Sequence, residues 1–419
     1  MLFKQVFMRF RSCILIIVLL LSSEIRAQSS FKLVTWNLLN WPIISAAVSD
    51  SSSRCPNFRT VMQYLDADII VTQENSASYS TTWFLNCALN YNSNAYRQGS
   101  FINGFDTNNG IFYKDSLFTF ISNTRTQTDV RDINEFKLVL KSSGDTLRIF
   151  SLHLKAGSGQ PYENQRLLEV DSLRSVTGRL SPGSYFIACG DFNIYGTFEQ
   201  AYQRLVEDLP GDDGHLIDPL FMPGIWNQSF YRQYHTQSTR SNSFGGGAGG
   251  GLDDRFDMIL YSESMIGPNG IYYVPGSLTS VGNDGNHYNL SVNANVNLAV
   301  PAAVANALYA ASDHLPVMAT FEVGPVPFVA EIAGNVRLKI YPNPNSGSFA
   351  MELDRLKAHE YKICIRTVEG QLIWESTVTN TGEPEIIRPY FENELMPGLY
   401  LVSVESPNSF LSSKILVFR

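Results

Sequence analysis

The chain has 419 residues, of which 44% are hydrophobic and 17% charged, and a formal net charge of −8. This composition is typical of a folded globular protein and excludes an intrinsically disordered chain. The length exceeds that of one ordinary core and predicts two domains. Because no basic tract offsets the acidic balance, the sequence excludes tight nucleic-acid binding through many phosphate contacts. A substrate held largely through metal ions remains compatible with this charge.

The first residues have the pattern of an export signal. A basic head with three Lys or Arg residues precedes the apolar run Cys13–Leu21, and polar residues follow before Ala27. The run is too short to span a bilayer, so we predict a cleaved signal peptide over residues 1–27. No later segment is apolar enough to span a membrane. We therefore expect a secreted or surface-held protein with no integral membrane segment after cleavage.

The larger domain, residues 28–323, alternates strands with loops and a few helices. Apolar runs bounded by turn residues predict strands at Phe31–Trp36, Ala67–Thr72, Gly110–Tyr113, Glu135–Leu140, Thr146–Leu152, Tyr185–Cys189, Arg255–Leu260 and Val317–Phe321. Helical spacing predicts helices at Phe58–Leu65 and Tyr162–Leu180. This mixture indicates two stacked sheets with helices outside.

Four cysteines remain after removal of the signal segment, too few for a disulfide scaffold in a chain this long. Cys189 ends an apolar strand and is predicted to be a buried thiol. An exported protein meets oxidising surroundings, so Cys55 and Cys87 either pair or stay free. The sequence leaves that question open.

Polar residues stand where a strand has no need of them, at the strand ends of the larger domain. Such groups, presented by one packed core, form a rigid site. The candidates are Asn37, Glu74, His153, Lys155, Asp191, Asn193, Asp257, Asp313 and His314.

These residue types suit hydrolysis of a phosphate ester. Oxygen ligands from Asn37, Glu74 and Asp313 are those that Mg²⁺ or Mn²⁺ prefers. Asp191 can accept a proton from water and make it a nucleophile, and Asn193 can donate to that water or to phosphate.

The remaining candidates are three groups that can contact phosphate oxygens and one carboxylate that can hold a histidine ring. Protonated His314 can stabilise the phosphorane, with Asp257 holding its ring. His153 and Lys155 would contact other phosphate oxygens.

Each candidate also has a structural interpretation. Asp191 and Asn193 can form a turn, Glu74 can cap a helix, Asp257 can bond Arg255, and His153 or Lys155 can be solvated. Taken together, these interpretations would have to place every residue at a strand end by chance.

The ordered motifs TWNLLN, TQEN, SLHLKAG, CGDFN, DRFDMIL and SDHLPV resemble the endonuclease/exonuclease/phosphatase (DNase I-like) superfamily over Phe31–Val323. The resemblance implies an α+β fold, a four-layer αββα sandwich, and Mg²⁺-dependent phosphoester hydrolysis. It implies metal ligation by Asn37 and Glu74, water and phosphate contacts by Asp191 and Asn193, and an orienting pair of Asp257 with His314. It also matches Asp313 to a metal or phosphate contact and His153 to a second active-site histidine.

A linker at residues 324–335 leads to residues 336–419, where short strands and turns predict a small β-sandwich. The segments LKIYPNPNSGSF, YKICIRTVEGQLIWES, LMPGLYLVSVES and SKILVFR resemble the type IX secretion (Por) sorting domain of Bacteroidetes. That resemblance implies the type IX secretion machinery as a partner, often with removal of the domain. The alternative is a small carbohydrate- or surface-binding sandwich.

The sequence favours a secreted, monomeric, metal-dependent phosphodiesterase, an extracellular nuclease first. A sphingomyelinase-like phospholipid phosphodiesterase or a phosphomonoesterase is the alternative, and a non-catalytic surface-binding module is the third. Substrate choice is assigned to the loops Tyr91–Thr107 and Ile225–Gly251. The second loop offers aromatic and basic groups that could stack bases and hold phosphates, rest on lipid, or close over the core: Trp226, Phe230, Tyr231, Arg232, Tyr234 and Arg240.

Overall fold

The computed structural model describes residues 29–42, 51–220, 222–243, 246–267, 270–324, 337–343, 345–354, 360–368, 370–379, 385–391, 395–406 and 409–417. The predicted signal peptide and the predicted linker from residue 325 onward lie outside these described residues. Within them, no helix combines the length and the apolar character needed to cross a membrane.

The larger part of the chain contains two sheets and several helices. Its strands are β1 (Ser29–Trp41), β2 (Ile69–Asn75), β3 (Tyr96–Gln98), β4 (Asn108–Lys114), β5 (Phe118–Thr126), β6 (Ile133–Leu140), β7 (Thr146–His153), β8 (Tyr185–Asp191), β9 (Leu216–Ile217), β10 (Asp257–Ser262), β11 (Ile271–Tyr273), β12 (Thr279–Ser280) and β13 (Val317–Val323). Its helices are α1 (Ser51–Leu65), α2 (Ser78–Phe84), α3 (Gln160–Thr177), α4 (Gln200–Val206) and α5 (Ala302–Ala311), with short helical turns at Leu85–Leu89, Ser229–Tyr234 and Glu263–Met265. The sheet orders are β11-β13-β1-β2-β4-β3, with β12 also paired to β13, and β5-β6-β7-β8-β10-β9.

The two sheets stack face to face, and helices cover both outer surfaces. Because successive residues of a strand point to opposite faces, each strand contributes side chains to the core between the sheets and to a core beneath the helices. On β1, Leu33 enters the core between the sheets, whereas Val34 enters the core beneath α1 and α5. On β7, Ile149 enters the central core and Phe150 packs towards α3. The predicted α+β architecture, a four-layer αββα sandwich, is therefore confirmed.

Helix α1 is fixed to the first sheet by aromatic packing and a covalent link. The Phe58 ring meets Trp36 and Trp41 edge-on, with centroids 5.1 and 5.2 Å away. Full burial of such a side chain contributes about 1.5–3 kcal/mol. A disulfide joins Cys55 to Cys87 with their Cα atoms 6.0 Å apart, so these cysteines pair. Cys189 is a buried free thiol, as predicted.

Residues 337–417 form a separate pair of sheets. Their strands are β14 (Arg337–Tyr341), β15 (Ala350–Asp354), β16 (Glu360–Thr367), β17 (Leu372–Thr379), β18 (Glu385–Ile387), β19 (Gly398–Ser406) and β20 (Ser409–Val417). The sheets run β14-β15-β18 and β17-β16-β19-β20 and enclose an apolar core that includes Leu353, Ile363 and Val402. The predicted small β-sandwich is confirmed.

Candidate active site

Strand register brings three of the predicted polar residues side by side at one edge of the second sheet. Strands β7 and β8 are parallel, so their carboxyl ends coincide and His153 lies opposite Asp191. Strand β10 is antiparallel to β8, so its first residue, Asp257, also lies opposite Asp191. In the first sheet the parallel pair β1 and β2 brings Asn37 next to the end of β2, where Glu74 lies.

Asp191 is the centre of this group. Its Oδ2 accepts a hydrogen bond from Asn37 Nδ2 at 3.1 Å and lies 3.6 Å from Nε2 of both His153 and His314. Its Oδ1 accepts from the backbone N–H of Asn193 at 3.1 Å. Burial is the main reason that the pKa of Asp191 rises to about 7, and His314 acts in the opposite direction. A carboxylate with this pKa is suited to take a proton from water near neutral pH.

His314 is held in an orientation that favours its charged form. Its Nδ1 lies 2.7 Å from Asp257 Oδ2, and the Trp36 indole N–H donates to its backbone carbonyl at 2.8 Å. Burial alone would lower the pKa of His314, but the carboxylates of Asp257, Asp191 and Asp313 outweigh it and raise the pKa well above its usual value. His314 is therefore an imidazolium at neutral pH.

His153 has the opposite protonation state. Burial lowers its pKa well below the usual value, and the positive charges of Arg131 and His314 add to this effect. Its Nε2 lies 3.6 Å from Asp191 Oδ2 and 3.7 Å from Glu74 Oε1. Its Nδ1 is buried, and none of the described residues bonds to it. The site therefore holds one neutral and one charged imidazole on either side of Asp191.

Asn37 and Glu74 form a second cluster. Asn37 Nδ2 donates to Glu74 Oε1 at 2.9 Å, and the backbone N–H of Asn40 donates to Glu74 Oε2 at 2.7 Å. Burial raises the pKa of Glu74, and the nearby charge of Asp313 raises it further. Asn37 Oδ1, the atom predicted to bind metal, accepts the backbone N–H of Leu39 at 3.0 Å. Asn37 thus presents its amide nitrogen, rather than its oxygen, to the two carboxylates.

Asp313 lies beneath the described part of the glycine-rich loop, residues 246–251. The backbone N–H of Ala248 donates to Asp313 Oδ2 at 2.7 Å. A Cβ on Gly247 would come within 2.9 Å of the Asp313 side chain, so only glycine allows this approach. Asp313 Oδ1 is buried and accepts no hydrogen bond from the described residues.

The donor set fits a hydrated divalent cation better than a cage of protein ligands. Nowhere in the described part of the chain do three or more His, Cys, Asp or Glu side chains converge as a metal cluster. Glu74 and Asp313 nevertheless repel each other in a buried setting, and Asp313 Oδ1 has a free lone pair. Mg²⁺ usually binds one or two carboxylates and completes its shell with water and substrate phosphate. The carboxylates of Glu74 and Asp313 suit that mode.

The backbone around this site depends on Arg54, a residue that the sequence gave no reason to select. Its guanidinium is buried and donates to the carbonyls of Leu38, Leu39 and Ala311, which flank the two active-site segments. Burial lowers the pKa of Arg54 to about 9, so it stays charged at neutral pH. Its partners are far away in sequence, and no local pattern could have identified it.

Arg131 is a second residue that the sequence did not select. Its Nη1 donates to the carbonyl of Leu154 at 3.2 Å, and the side chain of Asn193 donates to the same carbonyl at 3.1 Å. Its Nε donates to Asp106 at 2.9 Å. A cation is therefore placed at the rim, close to the predicted residue Asn193.

Lys155 is not drawn into the cluster around Asp191. Its Nζ lies 5.3 Å from the ring centroid of Tyr162, and its backbone N–H donates to Glu169. Its predicted role in binding substrate remains a prediction.

For several groups of the second loop, the structure decides among the alternatives left open by the sequence, because they are core residues. Trp226 and Tyr231 are buried, and Arg240 is buried with its Nε donating to the carbonyl of Tyr309. They cannot stack on bases or hold phosphates, because they serve to close the loop over the core. Phe230, at 82% exposure, remains available.

Two structural interpretations of the motifs are also wrong. Arg255 forms a two-pronged ion pair with Asp218, with both distances 2.8 Å, and leaves Asp257 to His314. Strand β2 continues through Asn75, so Glu74 caps no helix.

Comparison with known proteins gives one family match and a group of distant structural likenesses. Residues 339–418 match the family model described as a secretion system C-terminal sorting domain. No curated protein matches the chain.

The solved structures that resemble the chain include an endonuclease/exonuclease/phosphatase family protein from Bacteroides thetaiotaomicron, with 16% identity, a TM-score of 0.45, and coverage of 71% of this chain and 96% of that one. A mannosyl-6-phosphatase from Bacteroides thetaiotaomicron has 19% identity, a TM-score of 0.45, and coverage of 70% and 99%. The human Nocturnin catalytic domain has 16% identity, a TM-score of 0.44, and coverage of 70% and 97%. Likenesses this distant carry no argument about chemistry. The family match supports a conclusion about location. This protein has a C-terminal sorting domain and is exported to the cell surface or the surrounding medium.

Proposed function

We propose that this protein is an exported, divalent-metal-dependent phosphoester hydrolase in which Asp191 activates the attacking water. The observation that carries the proposal is the arrangement around Asp191: a buried carboxylate with a pKa of about 7 lies 3.6 Å from one neutral and one charged imidazole. A base, a cation and a neutral hydrogen-bonding group around one point match the needs of in-line attack on phosphorus.

The residues of the chain have separate parts in this proposal. Asp191 takes the proton of the water, and the His314 imidazolium, kept charged by Asp257, donates to the phosphoryl oxygen on which negative charge develops. Neutral His153 offers a hydrogen bond without adding charge. Glu74 and Asp313 would hold Mg²⁺ or Mn²⁺, and such an ion supplies charge neutralisation at the phosphate. Asn37 orients Glu74 and Asp191 by donating to both.

The domain arrangement belongs to the same proposal. Residues 28–323 carry the chemistry, 324–335 link the two domains, and 336–419 direct export. A monomer exported in this way acts on substrates outside the cell, and an extracellular nuclease is the first candidate.

A phosphomonoesterase acting on a small organic phosphate is the second candidate. The burial of Trp226, Tyr231 and Arg240 favours it, because three of the groups expected to hold a polynucleotide are unavailable. The backbone of Asp253 and Asp254 pairs with Gln237, which lies opposite His314. Neither carboxyl group has a cationic partner among the described residues, and burial raises the pKa of both, that of Asp254 to about 6. Two carboxyl groups on the rim discourage a second substrate phosphate.

The two candidates are distinguished by a substrate panel applied to the purified protein. The panel is plasmid DNA, RNA, sphingomyelin, an inositol phosphate, mannose 6-phosphate and bis-p-nitrophenyl phosphate. EDTA should stop hydrolysis and Mg²⁺ or Mn²⁺ should restore it. Full activity in EDTA would contradict the metal requirement, and hydrolysis of no member would contradict the proposed function.

A further inference from the structure

We propose that Gln237 is a substrate-binding residue whose carboxamide donates to an oxygen of the phosphoryl group held beside His314. The inference rests on the proposed phosphoester hydrolysis and adds a residue that none of the predicted motifs contains. Gln237 belongs to the segment that connects the short helical turn Ser229–Tyr234 with the glycine-rich loop, and this segment thereby gains a role in recognition.

The backbone on either side of Gln237 is fixed against the segment that carries the catalytic imidazole. Leu315 N–H donates to the carbonyl of Thr236 at 2.7 Å, and Thr239 N–H donates to the carbonyl of Asp313 at 3.1 Å. Gln237 therefore lies directly opposite His314 in an isolated antiparallel bridge. Because these bonds use backbone atoms, a change of the Gln237 side chain leaves the pairing in place.

The Gln237 side chain reaches the ring nitrogen of His314 that faces substrate. Its carboxamide lies 2.5 Å from His314 Nε2, while Asp257 occupies the other ring nitrogen. The same Nε2 lies 3.6 Å from Asp191 Oδ2. His314 and Asp191 are buried, whereas Gln237 is half-buried and borders solvent. A phosphoryl oxygen that arrives at Nε2 must therefore meet the carboxamide.

The chemistry of a carboxamide suits this position. It carries two N–H donors and no charge, so it can bind a phosphoryl oxygen next to a cationic donor without repelling that donor. In the free protein, the His314 imidazolium N–H can donate to the carboxamide once the carboxamide oxygen is turned towards Nε2. When a phosphoryl oxygen replaces this contact, both groups can donate to it. A carboxylate at the same position would repel the phosphate.

The test compares Gln237→Ala and Gln237→Glu with Gln233→Ala and Gln233→Glu in the full chain. Gln233 is an exposed glutamine of the preceding helical turn and serves as the matched control. The readouts are the Kd of inorganic phosphate by calorimetry with Mg²⁺ present, and KM and kcat for bis-p-nitrophenyl phosphate. Gln237→Ala should raise both Kd and KM about tenfold, or 1.4 kcal/mol, with kcat changed less than threefold. Gln237→Glu should raise them further, and the Gln233 variants should match wild type.

The result that overturns the inference is an unchanged phosphate Kd in both Gln237 variants while wild type binds and hydrolyses normally. A fall in kcat alone would also overturn it, because Gln237 would then only orient His314. Circular dichroism verifies folding, and Gln237→Asn, which keeps the carboxamide but shortens its reach, replaces Gln237→Ala if that variant unfolds. Wild type that neither binds phosphate nor hydrolyses any substrate would overturn the proposed function itself.

Discussion

Asp191 combines deep burial with a place between two imidazoles, and this makes it the residue whose loss should matter most. Asp191→Asn keeps the shape of the side chain and removes the base. We expect kcat to fall about 10²–10⁴-fold, the usual contribution of general acid–base catalysis, with little change in thermal stability. The measurement is steady-state hydrolysis of the best substrate from the panel.

Asp129→Asn is the matched control for that substitution, because Asp129 is an exposed aspartate outside the site. It should retain wild-type kcat. An Asp191→Asn enzyme with activity within tenfold of wild type would contradict the role of Asp191 as the base.

Glu169 should make stability depend on pH. It is buried on α3, accepts the Lys155 backbone N–H at 2.9 Å, and burial raises its pKa to about 7 from an ordinary value of 4.5. A carboxyl group with a raised pKa in the folded state contributes stability below about pH 4.5, and that contribution is lost as the pH rises through about 7. Wild type should therefore lose up to about 3 kcal/mol of unfolding free energy across this window from Glu169 alone.

Glu169→Gln removes the titration and keeps an oxygen for Lys155. Urea unfolding at pH 5.5 and pH 8 should give a smaller loss for the variant than for wild type. Equal losses in the two proteins would contradict the raised pKa of Glu169.

At the residue scale, the sequence predicts those groups that stand beside an identifiable strand end. Asp191 and His314 belong to this class, and the structure brings them within 3.6 Å of each other. Arg54 and Gln237 could not be predicted, because the hydrogen-bond partners of their side chains lie at least 15 and 77 residues away in the chain, and no local pattern joins them. The sequence left the place of Trp226 open, since no local pattern separates a buried loop aromatic from an exposed one, and the structure buries it.

Among the elements, α1 does most to fix the backbone around the site. It carries Arg54, which donates to backbone carbonyls there, and the neighbouring Cys55, which is joined to Cys87. Arg59 adds a hydrogen bond from Nε to the carbonyl of Cys87 at 2.9 Å. A disulfide that closes a loop of this length contributes about 3–4 kcal/mol to stability. Cys55→Ser with Cys87→Ser should lower the unfolding free energy by that amount, measured by urea denaturation.

Reductant supplies the control for the disulfide. Wild type in dithiothreitol should become as unstable as the double variant, and the double variant should not respond to reductant. Equal stability of oxidised and reduced wild type would contradict the contribution of this bond.

Eight of the thirteen strands described between residues 29 and 323 could be predicted, because their apolar runs are short and end in polar residues. Helix α5 was not predicted, since its sequence AAVANALYAA has almost no polar residue to mark a solvent-facing side. Helix α5 packs against α1, and its end leads directly into Asp313. A helix that shows no helical pattern of apolar residues therefore positions part of the site. Strand β5 escaped prediction because its surface residues alternate irregularly with apolar ones.

For the whole molecule, the sorting domain determines where the protein is delivered. A chain that lacks residues 339–418 should remain in the producing cell, because the signal that the secretion machinery reads is absent. Immunoblotting of cell and medium fractions measures this. The Asp191→Asn full chain is the control and should be exported as wild type is. Equal export of the truncated chain would contradict the function of the domain.

The site draws on both sheets: Asn37 and Glu74 lie on β1 and β2, whereas His153, Asp191 and Asp257 lie on β7, β8 and β10. Neither sheet alone therefore contains all the residues of the candidate site. A chain that is being translocated or refolded therefore has no complete site until the two sheets have packed together. Hydrolysis of a substrate would then show that this last folding step is complete. Under the proposed function, phosphate esters inside the producing cell would not be hydrolysed before that step.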